Sequence, residues 1–254
     1  NGKFMSRSVK ESEQTKRKIL VAAKNEFAEK GLNGARMSSI ATKAGVNQAL
    51  LHYHFESKEN LYQNIFHMGL GDDIREMTTK IKDELKSWNA PPEKELAAML
   101  YLLCTGHIAT HDDELNRIIA REIADGQQYF HDFARIYMFP RIALLEEFIK
   151  TGIKSGVFEI SNPLLFAISI ISFTADYVHG EKVIKGTEWY NQLYRDKKKI
   201  LYNHLLETTL KALTPAGRII PAPELSKKEI SILDSFVNKI TELFQNQINP
   251  GDIR

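Results

Sequence analysis

Two histidines, His107 and His111, stand four residues apart, with Asp112, Asp113 and Glu114 directly after them. On a helix that spacing puts both imidazoles on one face, as in a zinc pair. A zinc site needs at least a third ligand. The residues between are Ile108, Ala109 and Thr110, so the His-Glu-x-x-His pattern is absent. The plainer reading is surface histidines near a helix C-terminus, where the macrodipole favours them. Cys104, the single cysteine, follows Tyr101, Leu102 and Leu103. It reads as a small buried hydrophobe, and one cysteine excludes both an intrachain disulfide and a Cys-based zinc site. No Gly-x-Ser-x-Gly elbow or common Gly-rich phosphate loop occurs. The expectation is therefore no enzyme, no metal and no cofactor. A metal-dependent enzyme using His107 and His111 is the catalytic alternative.

A second set of polar residues points to recognition instead. Residues 37–58 read as two very short helices around a glycine turn at Gly45-Val46. Ile40, Ala41, Val46, Leu51 and Phe55 form a small apolar core. Helices this short are marginal alone, so longer neighbours must brace them. The outer face is polar and aromatic: Ser38, Gln48, His52, Tyr53, His54 and Lys58. A short helix on a rigid scaffold fits the major groove. For Tyr53 the alternative is partial packing, and for His52 and His54 a solvated face.

The elements that must hold this stretch read almost entirely as helix, an all-α chain without hairpin signals. Residues 13–30 carry Ile19, Ala23 and Phe27 on one face and end at Gly31. Asn47 and Ser57 stand as N-caps for helices from Gln48 and from Lys58, the latter read as one long helix. Asn89-Ala90-Pro91-Pro92 breaks the chain before a helix to about His111. Further helices cover about 113–124, 127–155 with a kink or split at Pro140, 163–179 capped by Asn162, and 189–213. Residues 214–223 form a Pro-containing linker. A last helix, 226–247, opens on the capping box Ser226-Lys227-Lys228-Glu229 and carries a seam of Ile230, Leu233, Val237, Ile240 and Phe244. Met5-Ser6 reads as a natural start, with Asn1 to Phe4 added before it.

The stretch 13–62 resembles the tetracycline-repressor (TetR) family closely, through Ile40-Ala41, Ala44-Gly45-Val46, Tyr53, Phe55, Lys58 and Leu61. The rest of the chain matches only in helix count and length. The resemblance implies a helix-turn-helix domain over 1–60 and a ligand-sensing and dimerisation domain over 61–254. It also implies a homodimer on a palindromic operator in double-stranded DNA, acting as repressor, with activation as the alternative sign. Gln48 and Ala49 fall where the recognition helix approaches bases, which suits pairing to adenine and contact with a thymine methyl. His52 falls at a base or backbone position, Tyr53 and His54 at phosphate positions, and Ser38 at a position touching either. Lys58 falls at a helix N-terminus that favours an anion. Arg36 stands where many relatives carry a Ser or Thr N-cap, and reaches for a phosphate instead.

The family further implies a largely apolar small-molecule inducer between C-terminal helices. Met99, Leu103, His107, Tyr137, Phe173 and Tyr177 are the expected lining, with Arg121 and Asp176 as candidate polar anchors or, equally, surface or ion-pair residues. The last two bundle helices, 163–179 and 189–213, are expected at the dimer interface, and the extra helix across the dimer or over the ligand domain. The long helix from Lys58 is the expected lever between the sites. Regulation by a protein partner without any small ligand is the alternative.

Charge fits this division. Residues 1–60 hold eleven Lys/Arg against six Asp/Glu, while the whole chain of 254 residues is only +2. A basic end on a neutral-to-acidic body suits a polyanion partner. The longest uncharged apolar stretch, 164–175, is too short to cross a bilayer, and no signal-peptide segment opens the chain. The expectation is a cytoplasmic protein without a membrane partner.

Overall fold

The computed structural model describes residues 2–67, 71–126 and 128–248. Asn1, and the side chains of 2–10 on which the reading of Met5 as a start falls, lie outside the described residues. The described chain is all-α, with no strand.

Helix α1 (Gly2–Gly34) is longer than its amphipathic stripe and kinks at Gly31, where φ is 69° and ψ 176°. Arg121 holds the chain there, donating from Nη1 to the Phe27 carbonyl at 3.3 Å and from Nη2 to the Glu29 carbonyl at 2.9 Å. Arg121 thus caps α1 and is not a ligand anchor. Helices α2 (Met37–Ala44) and α3 (Gln48–Phe55) follow. Gly45 makes their turn at φ 67°, a left-handed conformation that glycine adopts without a Cβ clash. Asn47 Oδ1 caps α3 by accepting from Leu50 N at 2.7 Å, and Ser57 Oγ accepts from Asn60 N at 3.0 Å. The long helix expected from Lys58 is helical over its described residues, α4 (Lys58–His67) and α5 (Gly71–Ser87), and positions 68–70 between them lie outside the described residues.

Then come α6 (Pro92–Ala109), α7 (Asp113–Asp125), α8 (Phe130–Phe133), a π-helical turn over Ala134–Met138, and α9 (Phe139–Lys154). Pro140 splits this last region as expected. It cannot donate to the turn before it, and it sits in the first turn of α9. Helix α10 (Pro163–Ile184) is capped by Asn162, whose Oδ1 accepts from Leu165 N at 2.9 Å. It runs past the expected end at about His179. At 22 residues it is long and apolar enough, by length and composition only, to cross a membrane, although its uncharged stretch still ends at Asp176. Here it packs on α9 and α6 through Ala167, Ile170, Ile171, Thr174 and Val178. The single helix expected over 189–213 divides into α11 (Tyr190–Tyr194) and α12 (Lys197–Leu213), with Asp196 capping the second. The capping box opens α13 (Lys227–Ile248): Ser226 N donates to Glu229 Oε2 at 2.7 Å, and Glu229 N donates to Ser226 Oγ at 3.3 Å.

By packing the chain falls into two units. The first takes in 1–73, 112–136 and 242–254, more than the 1–60 segment expected to carry DNA binding. Ile19, Ala23 and Phe27 are fully buried in it, and Phe27 meets the Tyr62 ring edge-on at 4.9 Å. Helix α7 joins this unit because Lys24 is paired with both Asp112 and Glu114, and Asn25 with Glu114. The second unit takes in 74–111 and 137–241, where α6, α9, α10, α11 and α12 pack together. Within it α13 is tied to α6 by Lys94 with Glu229 at 2.9 Å and by Tyr101 Oη donating to Asp234 at 2.9 Å.

Candidate nucleic-acid interface and ligand cavity

The two short helices turn Ile40, Ala41, Leu51 and Phe55 inward, leaving Val46 half-buried. Because α3 has two turns, burying Leu51 and Phe55 forces Gln48, Ala49, His52 and Tyr53 out. Tyr53 is 79% exposed, far more than a packing role would leave. His52 is fixed by its Nδ1, 3.1 Å from the Glu56 carbonyl, while Gln48 reaches His52 Nε2 only at 3.5 Å and stays available. The half-buried His54 ring lies edge-on to Tyr53 at 5.2 Å. Burial first, and then the Lys16 ammonium, lower its pKa, so it is a neutral hydrogen-bonding group at pH 7.

Arg36 precedes α2 in extended conformation, makes no side-chain cap and is exposed. With the exposed Ser38 it borders a shallow polar depression shared by Lys30, Ser39 and Thr42. Lys30 was not among the sequence candidates, although a basic residue beside Gly31-Arg36 is the available signal. Lys58 is half-buried and donates to the carbonyls of Asn33 and Ala35 at 3.4 and 3.3 Å. Its ammonium steadies the end of α1, with one N–H left over.

The buried Glu26 locks α2 onto α1. Its Oε1 accepts from Lys30 at 2.6 Å, and the Lys43 ammonium of α2 lies 2.9 Å from Oε2. The second contact is ionic, since Oε2 has no partner in hydrogen-bond geometry. Burial opposes ionisation of Glu26, but Lys30, Lys43 and Ser39 outweigh it and hold the carboxyl at about 2.

The second unit encloses a cavity of about 70 Å³. Helix α5 contributes Ile74, Met77, Thr78 and Ile81; α6 contributes Met99, Leu103 and His107; α9 contributes Arg141 and Leu144; α13 contributes Ile240. Of the six expected lining residues, Met99, Leu103 and His107 border it and Tyr137, Phe173 and Tyr177 do not. Tyr137 is packed in the core, Phe173 is 43% exposed, and Tyr177 Oη donates to the Leu193 carbonyl. Asp176 is exposed and away from the cavity. Arg141 Nη1 lies 3.2 Å from His107 Nε2. Burial, then the Arg141 and His179 charges, push His107 down to about 3, and burial also lowers the Arg141 pKa. A guanidinium on the His107 nitrogen is the opposite of what a metal ligand requires. Among the described residues no three His, Cys, Asp or Glu side chains converge into a metal-holding group.

Residues 19–65, which hold α2, α3 and their braces, match the family model of the bacterial regulatory proteins, tetR family. This segment is thus similar to the DNA-binding domain of the tetR family. The transcriptional repressor BepR of Brucella suis is 38% identical over 61 residues, 24% of this chain and 29% of that protein. The transcriptional dual regulator CecR of Shigella flexneri is 33% identical over 126 residues, 47% of this chain. The chain thus spans under a third of the first relative and 56% of the second. A tetR-family regulator from Mesorhizobium loti shares the fold at a TM-score of 0.56 and 20% identity, over 80% of this chain and 98% of that one. The hemolysin II regulator HlyIIR is similar at a TM-score of 0.50 and 26% identity, over 80% of this chain and 99% of that one. The likeness of fold therefore extends well beyond the matched domain.

Proposed function

We propose that this chain is a ligand-responsive transcriptional repressor of the tetR family. In this reading it binds a palindromic operator as a homodimer and leaves it when a small molecule fills the cavity of the second unit. The observation that carries the reading is α3, a two-turn helix whose outward residues Gln48, Ala49, His52 and Tyr53 are all exposed while Leu51 and Phe55 anchor it. Gln48 reads a base edge, Tyr53 and His54 hold phosphates, and Arg36, Ser38 and Lys58 add backbone contacts. The names of the relatives, repressor and regulator, support the same direction.

A dimer is supported by the outer face of α10, where Leu164, Leu165, Ile168 and Phe173 stand exposed in a row too apolar for free solvent. Two recognition helices on one DNA face then lie about 34–36 Å apart. Such a role belongs in the bacterial cytoplasm. Control by a small molecule is favoured over control by a protein partner because a buried polar atom bordering the cavity, His107 Nδ1, has no hydrogen-bond partner. A ligand that binds the non-operator state better shifts the population away from DNA.

The test is selection of binding sites from random duplex DNA. The reading expects an enriched palindrome, bound by two chains. Gln48→Ala and Tyr53→Ala are expected to weaken it about tenfold or more while leaving the fold intact, since both side chains are exposed. No enriched site would overturn it.

A further inference from the structure

The polar end of the cavity is a set of donors without an acceptor. An Arg guanidinium carries only N–H groups, so the 3.2 Å contact with Arg141 makes His107 Nε2 the acceptor. The neutral imidazole then carries its proton on Nδ1. That nitrogen is shielded from solvent and has no hydrogen-bond partner. Arg141 is in the same position: its hydrogen bond among the described residues goes to a neutral ring, and no described carboxylate pairs with it. A deeply placed cation without an anion, beside an N–H without an acceptor, is costly to fold. The rest of the wall is largely apolar, apart from Thr78 and Thr110, whose hydroxyls donate to the Ile74 and Gly106 carbonyls, and Met77 and Met99 are its adaptable side chains.

We propose that the cavity binds a short- to medium-chain monocarboxylate, its carboxylate held by Arg141 and by His107 Nδ1–H, and its alkyl body among Ile74, Met77, Met99, Leu103, Leu144 and Ile240. The carboxylate supplies both missing acceptors and the missing negative charge. Arg141 is built for such bonds, since its fork matches two carboxylate oxygens. The 70 Å³ volume has room for roughly five water-sized centres. That suits a chain of several carbons and not a bulky polycycle. Ile240 makes α13 part of the wall, so the extra helix belongs to the ligand site. For its consequence at the operator this proposal rests on the ligand-responsive reading above; for binding it does not.

The experiment is calorimetry on the full chain, without DNA, with butyrate, hexanoate, octanoate, 1-hexanol and hexylamine. Hexanoate or octanoate is expected to bind one per chain, about tenfold or more tighter than 1-hexanol, with hexylamine not binding. Arg141→Met is expected to weaken the carboxylate about tenfold to a hundredfold and leave 1-hexanol unchanged. Arg141→Lys keeps the charge and is expected to recover part of the loss. His107→Leu removes the Nδ1 donor and is expected to weaken carboxylate binding more than alcohol binding. Circular-dichroism melting of each variant shows that it folds. The proposal is overturned if 1-hexanol binds as tightly as hexanoate, if no carboxylate in the series binds, or if Arg141→Met, once folded, keeps full affinity. Carboxylate binding that leaves an operator complex intact supports this site and counts against the ligand-responsive reading alone.

Discussion

Glu26→Gln should loosen the helix-turn-helix more than any change on its surface. The side chain is fully buried between α1 and α2, within 2.6 Å of Lys30 and 2.9 Å of Lys43. A carboxyl held at about 2, against 4.5 without these partners, is worth about 3 kcal/mol at full value. Glu26 lies close beneath the surface and its lysines are 36% and 47% exposed, so solvent screening reduces this to roughly 2 kcal/mol. The sign follows from a depressed pKa. The contribution is present in full above the unfolded value near 4.5 and fades as pH falls toward 2. Both tryptophans lie outside the first unit, so the assay is local: amide hydrogen exchange of the α1 peptide 19–30. The variant is expected to exchange about thirtyfold faster at pH 7, the equivalent of about 2 kcal/mol. After correction for intrinsic rates, that free-energy difference is expected to fall below half at pH 3. Equal exchange at pH 7, or a difference that does not change with pH, would refute the reasoning.

Two further outcomes follow from packing. Gly152→Ala places a Cβ 2.0 Å from the Phe158 ring, which is buried where the chain reverses after α9. It is expected to destabilise the second unit by about 1–3 kcal/mol, read as an earlier melt in Trp88 and Trp189 fluorescence. Leu165→Asp with Phe173→Asp puts charge on the exposed row of α10, where the side chains are 61% and 43% accessible. Sedimentation velocity is expected to show a dimer weakened by more than about tenfold in affinity, about 1.4 kcal/mol, and an unchanged dimer would remove α10 from the interface.

What was legible in the sequence is local. The turn glycine Gly45, the caps Asn47, Ser57, Asn162 and Ser226, and the stripe Ile19, Ala23 and Phe27 act within a few residues of themselves, so spacing reveals them. Pro140 breaks a helix wherever it falls. What escaped is long-range. Arg121 closes α1 from more than ninety positions away, and no periodicity marks that partner. Phe173 does not border this cavity, and α10 is apolar on several faces, so composition alone does not say whether Phe173 points in or out. Arg141 carried a signal that went unread. It is a charged residue just after Pro140 in an otherwise apolar run, and such a residue usually has a purpose. The split at Asp196 was equally visible, since aspartate before Lys197-Lys198-Lys199 is an N-cap in waiting.

The most direct test of the DNA-binding account is a salt titration of the selected site. Two chains that each present Arg36, Lys30 and Lys58 to phosphates neutralise about six charges, giving a slope of log affinity on log salt of about −5. Arg36→Ala is expected to make that slope shallower by about 2, one phosphate per chain, while keeping the sequence preference that Gln48 confers. A slope near zero, or one that Arg36→Ala leaves unchanged together with Lys30→Ala, would contradict the placement of the DNA backbone along α2 and α3.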